Sequence, residues 1–208
     1  MEITKYVHSC LLVEINGKRI LIDPGNYTYD SKTLDINALE RLDYLLITHE
    51  HLDHMYIPFI QKILAKFPNL SIVTNPSAQE KLNAEGIKST TDSLDIIKVQ
   101  RAPHERVFAS DPPENILFNI ADTLTHPGDS LHFTSQTPVL ALPVQAPWCS
   151  LTQAVEFAVL LKPQVVLPIH DWHWNDVARA AFYKRLDGYF TQHGIKFLSL
   201  ETGHKVVV

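Results

Sequence analysis

The consecutive residues His49-Glu50-His51-Leu52-Asp53-His54 put three imidazoles and a carboxylate within reach of one another. Imidazole nitrogens with carboxylate oxygens suit Zn(II), Mn(II) or Fe(II). His49 and His51 stand two apart, so in an extended segment they point the same way and grip one ion. Asp53 and His54 lie just beyond, where the chain turns toward a helix, and can face a second ion. The bland alternative is a polar loop after a strand, with four potential ligands gathered by chance. One segment cannot complete two coordination shells. His104, Asp129 and His170 each closely follow an expected strand and are candidates for the remainder. Singly, each has an ordinary alternative, as a surface or capped histidine or, for Asp129 after Gly128, as a turn residue.

The elements that must position these residues can be read from the pattern around them. Cys10 to Ile15 and Lys18 to Ile22 flank Asn16-Gly17, a hairpin signal. Asp23-Pro24-Gly25-Asn26 is a turn leading into a loop with Tyr27 and Tyr29, and Asp35 caps a short helix to Leu42. Tyr44 to Thr48 is an apolar strand that delivers the chain into His49. Pro58 starts a helix to about Phe67, Ser71 to Thr74 is a strand, and Asn75-Pro76 opens a helix that ends at Gly86. Strands are expected at Asp95 to Ala102, Ile116 to Ile120, Thr123 to His126, Val139 to Val144 and Val165 to Ile169. Ser150 caps a helix through Leu161, Asn175 caps a long helix closing at Gly194, and two short strands finish the chain. Strands in both halves with helices interspersed suit two sheets packed face to face with helices outside, a four-layer αββα sandwich of the α/β class. A doubly wound sheet is the competitor.

Length and composition agree with one domain over residues 1–208 with a sizeable core. A formal net charge of −5 argues against a nucleic-acid or membrane surface as the main partner, since both reward clustered Lys and Arg. Two cysteines, Cys10 and Cys149, form no disulfide framework. The start shows no secretory pattern and no apolar run reaches membrane-spanning length, so the expected compartment is the cytoplasm.

Thr48-His49-Glu50-His51-Leu52-Asp53-His54 resembles the signature of the metallo-β-lactamase superfamily. His104, Gly128-Asp129-Ser130 and Pro168-Ile169-His170 resemble its later metal-binding motifs in the same order. His8-Ser9-Cys10 and Leu21-Ile22-Asp23-Pro24 resemble the branch that contains ascorbate-6-phosphate lactonase. The resemblance implies the metallo-β-lactamase αββα fold and two divalent ions, Zn(II) first, with Mn(II) or Fe(II) as alternatives. It implies His49, His51 and His104 on the first ion, Asp53, His54 and His170 on the second, Asp129 between them, and Asp23 behind, orienting an imidazole. Glu105 departs from the small residue that often follows the third histidine in this branch.

The expected chemistry is hydrolysis by a metal-bound hydroxide, since metal binding lowers the pKa of water toward roughly 7. Asp53 would orient the nucleophile and carry its proton. His126, just before Asp129, is a second catalytic candidate, as a proton donor or oxyanion partner, against the alternative of a strand histidine. His8 reads as a residue behind the ligands or a core histidine. His173, in Trp172-His173-Trp174, reads as a substrate contact or as packing. Trp148, Tyr27 and Tyr29 are expected at a substrate wall. Arg101 and Arg106 are anion-recognising or simply solvated, and Cys149 is a packing thiol. The expected partner is a small-molecule ester, lactone or related acyl substrate, possibly phosphorylated, with neither nucleic acid nor membrane involved. A phosphodiesterase or nuclease is the alternative enzyme, and a metal-stabilised binding protein is the alternative from another class. Monomer and homo-oligomer both stay open.

Overall fold

The structure, a computed structural model, describes residues 1–135 and 137–208. Two six-stranded sheets form its middle layers. The first half of the chain supplies β1 (Glu2–Lys5), β2 (Leu11–Ile15), β3 (Lys18–Ile22), α1 (Asn26–Ser31), β4 (Tyr44–Leu46), α2 (Ile57–Lys66), β5 (Ser71–Val73) and α3 (Pro76–Ala84). The second half supplies β6 (Ile97–Arg101), β7 (Ile116–Ile120), β8 (Leu124–His126), β9 (Val139–Pro143), α4 (Leu151–Leu161), β10 (Val165–Ile169), α5 (Asp176–Gln192), β11 (Lys196–Phe197) and β12 (Lys205–Val207). The strand orders are β12-β1-β2-β3-β4-β5 and β11-β10-β9-β8-β7-β6.

The period-2 alternation of strand side chains assigns the layers. Leu11, Val13, Ile20, Ile22 and Leu46 meet Phe118, Ile120, Val139, Ala141 and Leu167 between the two sheets. Leu12, Leu21 and Leu45 face the other way, onto Phe59, Ile60 and Ile63 of α2 and Ala78 and Leu82 of α3. Leu140, Leu142 and Val166 pack against Ala154 and Ala158 of α4 and Tyr183, Leu186 and Phe190 of α5. This is the expected four-layer αββα sandwich. Both strand faces are buried, which is why the strands read as near-continuous apolar runs.

Two local expectations need correction, and one strand has no sequence signal. The segment with Tyr27 and Tyr29 is not a loop but the helix α1. It is tied down by Asn26 N donating to Leu52 O (2.8 Å) and Thr28 Oγ1 donating to Val7 O (3.1 Å). The helix expected from Asp35 to Leu42 is only the single 3-10 turn Ile36–Ala38. Lys66 Nζ donates to the carbonyls of Ile36, Asn37 and Leu39, which a longer helix would have needed for itself. The first strand, Glu2–Lys5, was not legible. Its four residues have no strong alternation, and it exists because β2 and β12 pair with it on either side. Among the described residues, no helix is long and apolar enough to cross a membrane.

Candidate metal centre

Strand direction brings the site together. β1 and β3 are both antiparallel to β2, and β4 is parallel to β3, so all three end at one edge of the first sheet. In the second sheet β6 and β8 are both antiparallel to β7, while β9 and β10 run parallel to β8. The exits of β1, β3, β4, β6, β8, β9 and β10 lead to His8, Asp23, His49, His104, Asp129, Trp148 and His170. Segment 49–54 is a turn rather than the expected extended stretch, closed by His54 N and Met55 N donating to His51 O. Two glycines admit the close approaches. A Cβ on Gly25 would lie 1.8 Å from the Asp53 carbonyl oxygen, and one on Gly128, at φ +58°, 2.2 Å from Asn115 Oδ1.

Two donor sets result. His49, His51, His104 and Asp129 offer ligand atoms within 4.8 Å of one another, and so do His8, His54 and His170. Asp129 faces both. Its Oδ2 lies 3.4 Å from His104 Nε2 and 3.9 Å from His49 Nε2. Its Oδ1 lies 3.0 Å from His54 Nε2 and 2.8 Å from His170 Nε2.

The ring orientations are fixed from behind, as metal-binding imidazoles require. Asp23 accepts from Thr48 N (2.8 Å), Thr48 Oγ1 (2.8 Å) and His54 Nδ1 (2.7 Å). Thr48 Oγ1 in turn accepts from His49 Nδ1 (3.1 Å), and Glu105 O accepts from His104 Nδ1. Each of these three rings thereby turns Nε2 toward Asp129. The expected role of Asp23 is the one the structure gives it.

The donor chemistry fits divalent ions. His54 Nε2, His104 Nε2, His170 Nε2 and Asp129 Oδ1 are buried and have no hydrogen-bond partner. Buried polar atoms are rarely left so. They approach one another at hydrogen-bond distance without hydrogen-bond alignment. Donor atoms that share an ion at about 2.0–2.2 Å take up such a spacing, roughly 3–3.5 Å apart. The electrostatics agree. Burial alone would raise the Asp129 pKa, yet His170, His54 and His49 hold it well below the usual carboxylate range. Burial, then the other imidazoles, push His49 well below the ordinary histidine value, and burial followed by His104 lowers His51. His54 goes the opposite way. Burial opposes its charge, but Asp129 and Asp23 outweigh it and raise the pKa well above the ordinary value. A position that holds a proton so firmly between two carboxylates is one that attracts a metal cation.

The other anticipated residues divide sharply. Asp53 belongs to neither set. Its Oδ2 lies 3.1 Å from His8 Nε2, and its side chain is 29% exposed at the mouth of the site. Burial would raise the Asp53 pKa, but His8 and His54 override that and lower it. His126 does not reach the centre. It is fully buried, with Nε2 donating to Ser9 O (3.0 Å) and Nδ1 accepting from Gly128 N (3.4 Å). Both ring nitrogens are committed to backbone, so the structure offers no proton-donor or oxyanion role for it. Trp148 Nε1 donates to Asp129 Oδ2 (3.0 Å), a tighter role than a substrate wall. Tyr27 stacks on the part-exposed Trp172 (5.5 Å, 24°) and meets His8 and His173 edge-on. Tyr29 instead packs on Tyr56 and Phe59, away from the centre. Arg101 and Arg106 are exposed, and Cys149 is buried, as expected of a packing thiol.

Further contributors have roles that the sequence does not assign. Asn115 Nδ2 donates to Ala102 O and Pro127 O while its Oδ1 accepts from Asp129 N, stapling the β6 and β8 exits together. Glu105 Oε1 accepts from Leu131 N and its backbone N donates to Asp129 O, which gives a purpose to the unusual residue after His104. Lys5 and Asp171 form a buried ion pair at 2.6 Å, with Tyr183 bonded to both. His8 was not counted as a donor because the strand it follows was not seen.

Two sheets packed face to face between helices, with histidines and aspartates converging at one edge, define a protein of the metallo-β-lactamase fold. The family model described as Beta-lactamase superfamily domain matches residues 2–170, and the chain belongs to the metallo-β-lactamase superfamily. Protein Rv0786c of Mycobacterium tuberculosis is 29% identical over 198 residues, covering 89% of this chain and 91% of that protein. A UPF0173 metal-dependent hydrolase of Anoxybacillus flavithermus is 28% identical over 199 residues, covering 82% and 85%. Among solved structures, Igni18, a metallo hydrolase of the archaeon Ignicoccus hospitalis, is similar with a TM-score of 0.72 at 21% identity, over 99% of this chain and 97% of that one. The isothiocyanate hydrolase from Delia radicum gut bacteria has a TM-score of 0.68 at 15% identity, over 100% and 99%. These last two likenesses concern the fold.

Proposed function

We propose that this chain is a dinuclear metal-dependent hydrolase of a small ester, lactone or related acyl substrate, with Zn(II) or Mn(II) in its two positions. The observation that carries the reading is Asp129, whose two oxygens face two separate sets of histidines, all buried except His51. Divalent ions held there would supply a water-derived nucleophile near neutral pH and polarise the attacked oxygen. The chain's own residues supply the rest. The lowered pKa of Asp53 keeps it ionised, and its partial exposure lets it accept a hydrogen bond from the attacking water and orient it. Trp148 holds the Asp129 carboxylate with one oxygen toward each set of histidines. Tyr27, Trp172 and His173 form an aromatic rim on the side of His8. A thiol nucleophile has no support. Burial pushes the Cys149 thiol up to about 12 and Cys10 higher still, so neither is a thiolate at neutral pH.

Sequence similarity to relatives named metal-dependent hydrolases supports the reaction class. The lactone class follows from the likeness of His8-Ser9-Cys10 and Leu21-Ile22-Asp23-Pro24 to the ascorbate-6-phosphate lactonase branch. The test is a panel of phosphorylated lactones, simple esters and bis-phosphodiesters offered to the metal-replete protein, with and without chelator. Chelator-sensitive turnover of lactones or esters is expected, and Asp53→Asn should lower kcat more than it raises KM. Turnover of phosphodiesters alone replaces the acyl reading with a phosphodiesterase. No turnover anywhere points to a binding protein.

A further inference from the structure

We propose that His8 is a ligand of the second ion, giving that position three imidazoles, from His8, His54 and His170, beside Asp129 Oδ1. The inference rests on the dinuclear reading and goes beyond the ligand set the family resemblance implies, which holds no residue before position 49. One ring nitrogen of His8 lies within 4.8 Å of the ligand nitrogens of His54 and His170. Its rings are close to theirs, with centroids 3.9 Å from His170 and 5.5 Å from His54.

The ring nitrogens of His8 lack hydrogen-bond partners although the residue is 3% exposed. An imidazole left this way by accident would lose the hydration of both nitrogens without recompense. His8 Nε2 comes within 3.1 Å of Asp53 Oδ2 without hydrogen-bond alignment. That is the relation seen between His54 Nε2 and Asp129 Oδ1, and it is the spacing of neighbouring donors on one ion. The backbone is also held in place for this purpose. His8 and His170 both adopt φ +64°, a conformation uncommon in residues other than glycine, and His170 N donates to His8 O at 3.2 Å. Three residues before His8 and one after His170, the Lys5–Asp171 ion pair locks the two stems together. A histidine that merely filled space would need neither the strained backbone nor the lock.

The consequence is a matched pair of positions, each with three histidines and one oxygen of Asp129, a complete tetrahedral set.

The experiment loads the wild-type protein, labelled with 15N in its histidine rings, with 113Cd and counts the ring nitrogens coupled to each metal. Three nitrogens on each of two cadmium resonances are expected. Two nitrogens on the second resonance overturn the role of His8 and leave the dinuclear reading standing. A single resonance coupled to His49, His51 and His104 alone overturns both. In parallel, His8→Asn keeps a residue that tolerates positive φ. Its affinity for the second equivalent of Mn(II), measured by calorimetry, should fall by well over 100-fold. The first equivalent should be unchanged. A loss of about 10–100-fold is what a residue behind the ligands produces, and that outcome or a smaller one overturns the assignment.

Discussion

The two donor sets share Asp129 but are built differently. The first takes His49 and His51 from one tight turn, adds His104 from the next sheet, and leaves His51 exposed. Its geometry is largely local. The second gathers His8, His54 and His170 from three distant segments, all buried, and two of the three have a left-handed backbone. It stands on the buried Lys5–Asp171 pair and on Asp23, itself at φ +47°. Strain of this kind persists only where the surroundings over-determine it. The first set is therefore the more exposed and locally built one, and the second is the anchor that tertiary packing assembles.

The largest expected effect abolishes the comparison. Asp129→Ala removes the carboxylate common to both sets, so elemental analysis should find neither ion retained, and turnover should fall roughly 10³-fold or more, about 4 kcal/mol of barrier. Retention of one ion at full strength would show that Asp129 serves a single set.

Next in size is a change that acts on the anchor alone. Lys5→Met leaves Asp171 buried without its cation, at a cost of about 3–5 kcal/mol in urea unfolding. Mn(II) titration of the folded variant should show weaker binding to the second set only. Equal weakening of both sets would break the distinction between a local and an assembled site.

Acid tests the sets without mutation. In the metal-free protein, burial lowers the pKa of His49 and His126 and drives His8 down to about 3. The unfolded chain takes up protons below about pH 6.5 that these folded residues refuse. Their contribution to stability is thus complete above pH 6.5 and is lost as pH falls toward their folded values. Each contributes a slope of up to about 1.4 kcal/mol per pH unit. His54, raised in the folded state, adds only a small opposing slope near pH 6.5, which vanishes once the unfolded residue is also protonated. Denaturant unfolding of the metal-free protein at pH 6.5 and pH 5 should show a loss of at least about 2 kcal/mol. A flat profile would mean these imidazoles are not held neutral.

The smallest expected effect sharpens the first set. Trp148→Phe keeps the ring and removes one N–H from Asp129 Oδ2, so the first ion should bind roughly tenfold more weakly, with the second unaffected.

The sequence by itself determined the donor-rich turn at positions 49–54, because His49, His51 and His54 are close along the chain whatever the fold. It announced most elements of the sandwich as well, because apolar strand runs are local signals, as are the helix caps Asn75, Ser150 and Asn175, each of which accepts the expected backbone N–H. His104, Asp129 and His170 were legible as residues that follow strands, though only strand direction shows that they meet. The tertiary structure alone decided the rest. The strand β1 exists through its partners, so His8 could not be recognised as a strand exit. His126 looked equivalent to His104 along the chain, yet hydrogen bonds to Ser9 and Gly128 withdraw it from the site. Asp53 stood inside the motif, yet its Oδ2 lies against His8 and it joins neither set. Sequence spacing fixes which side chains are adjacent on one turn. Which nitrogen is left without a partner depends on residues far along the chain, such as Asp23, Asn115 and Asp171, that only folding brings near.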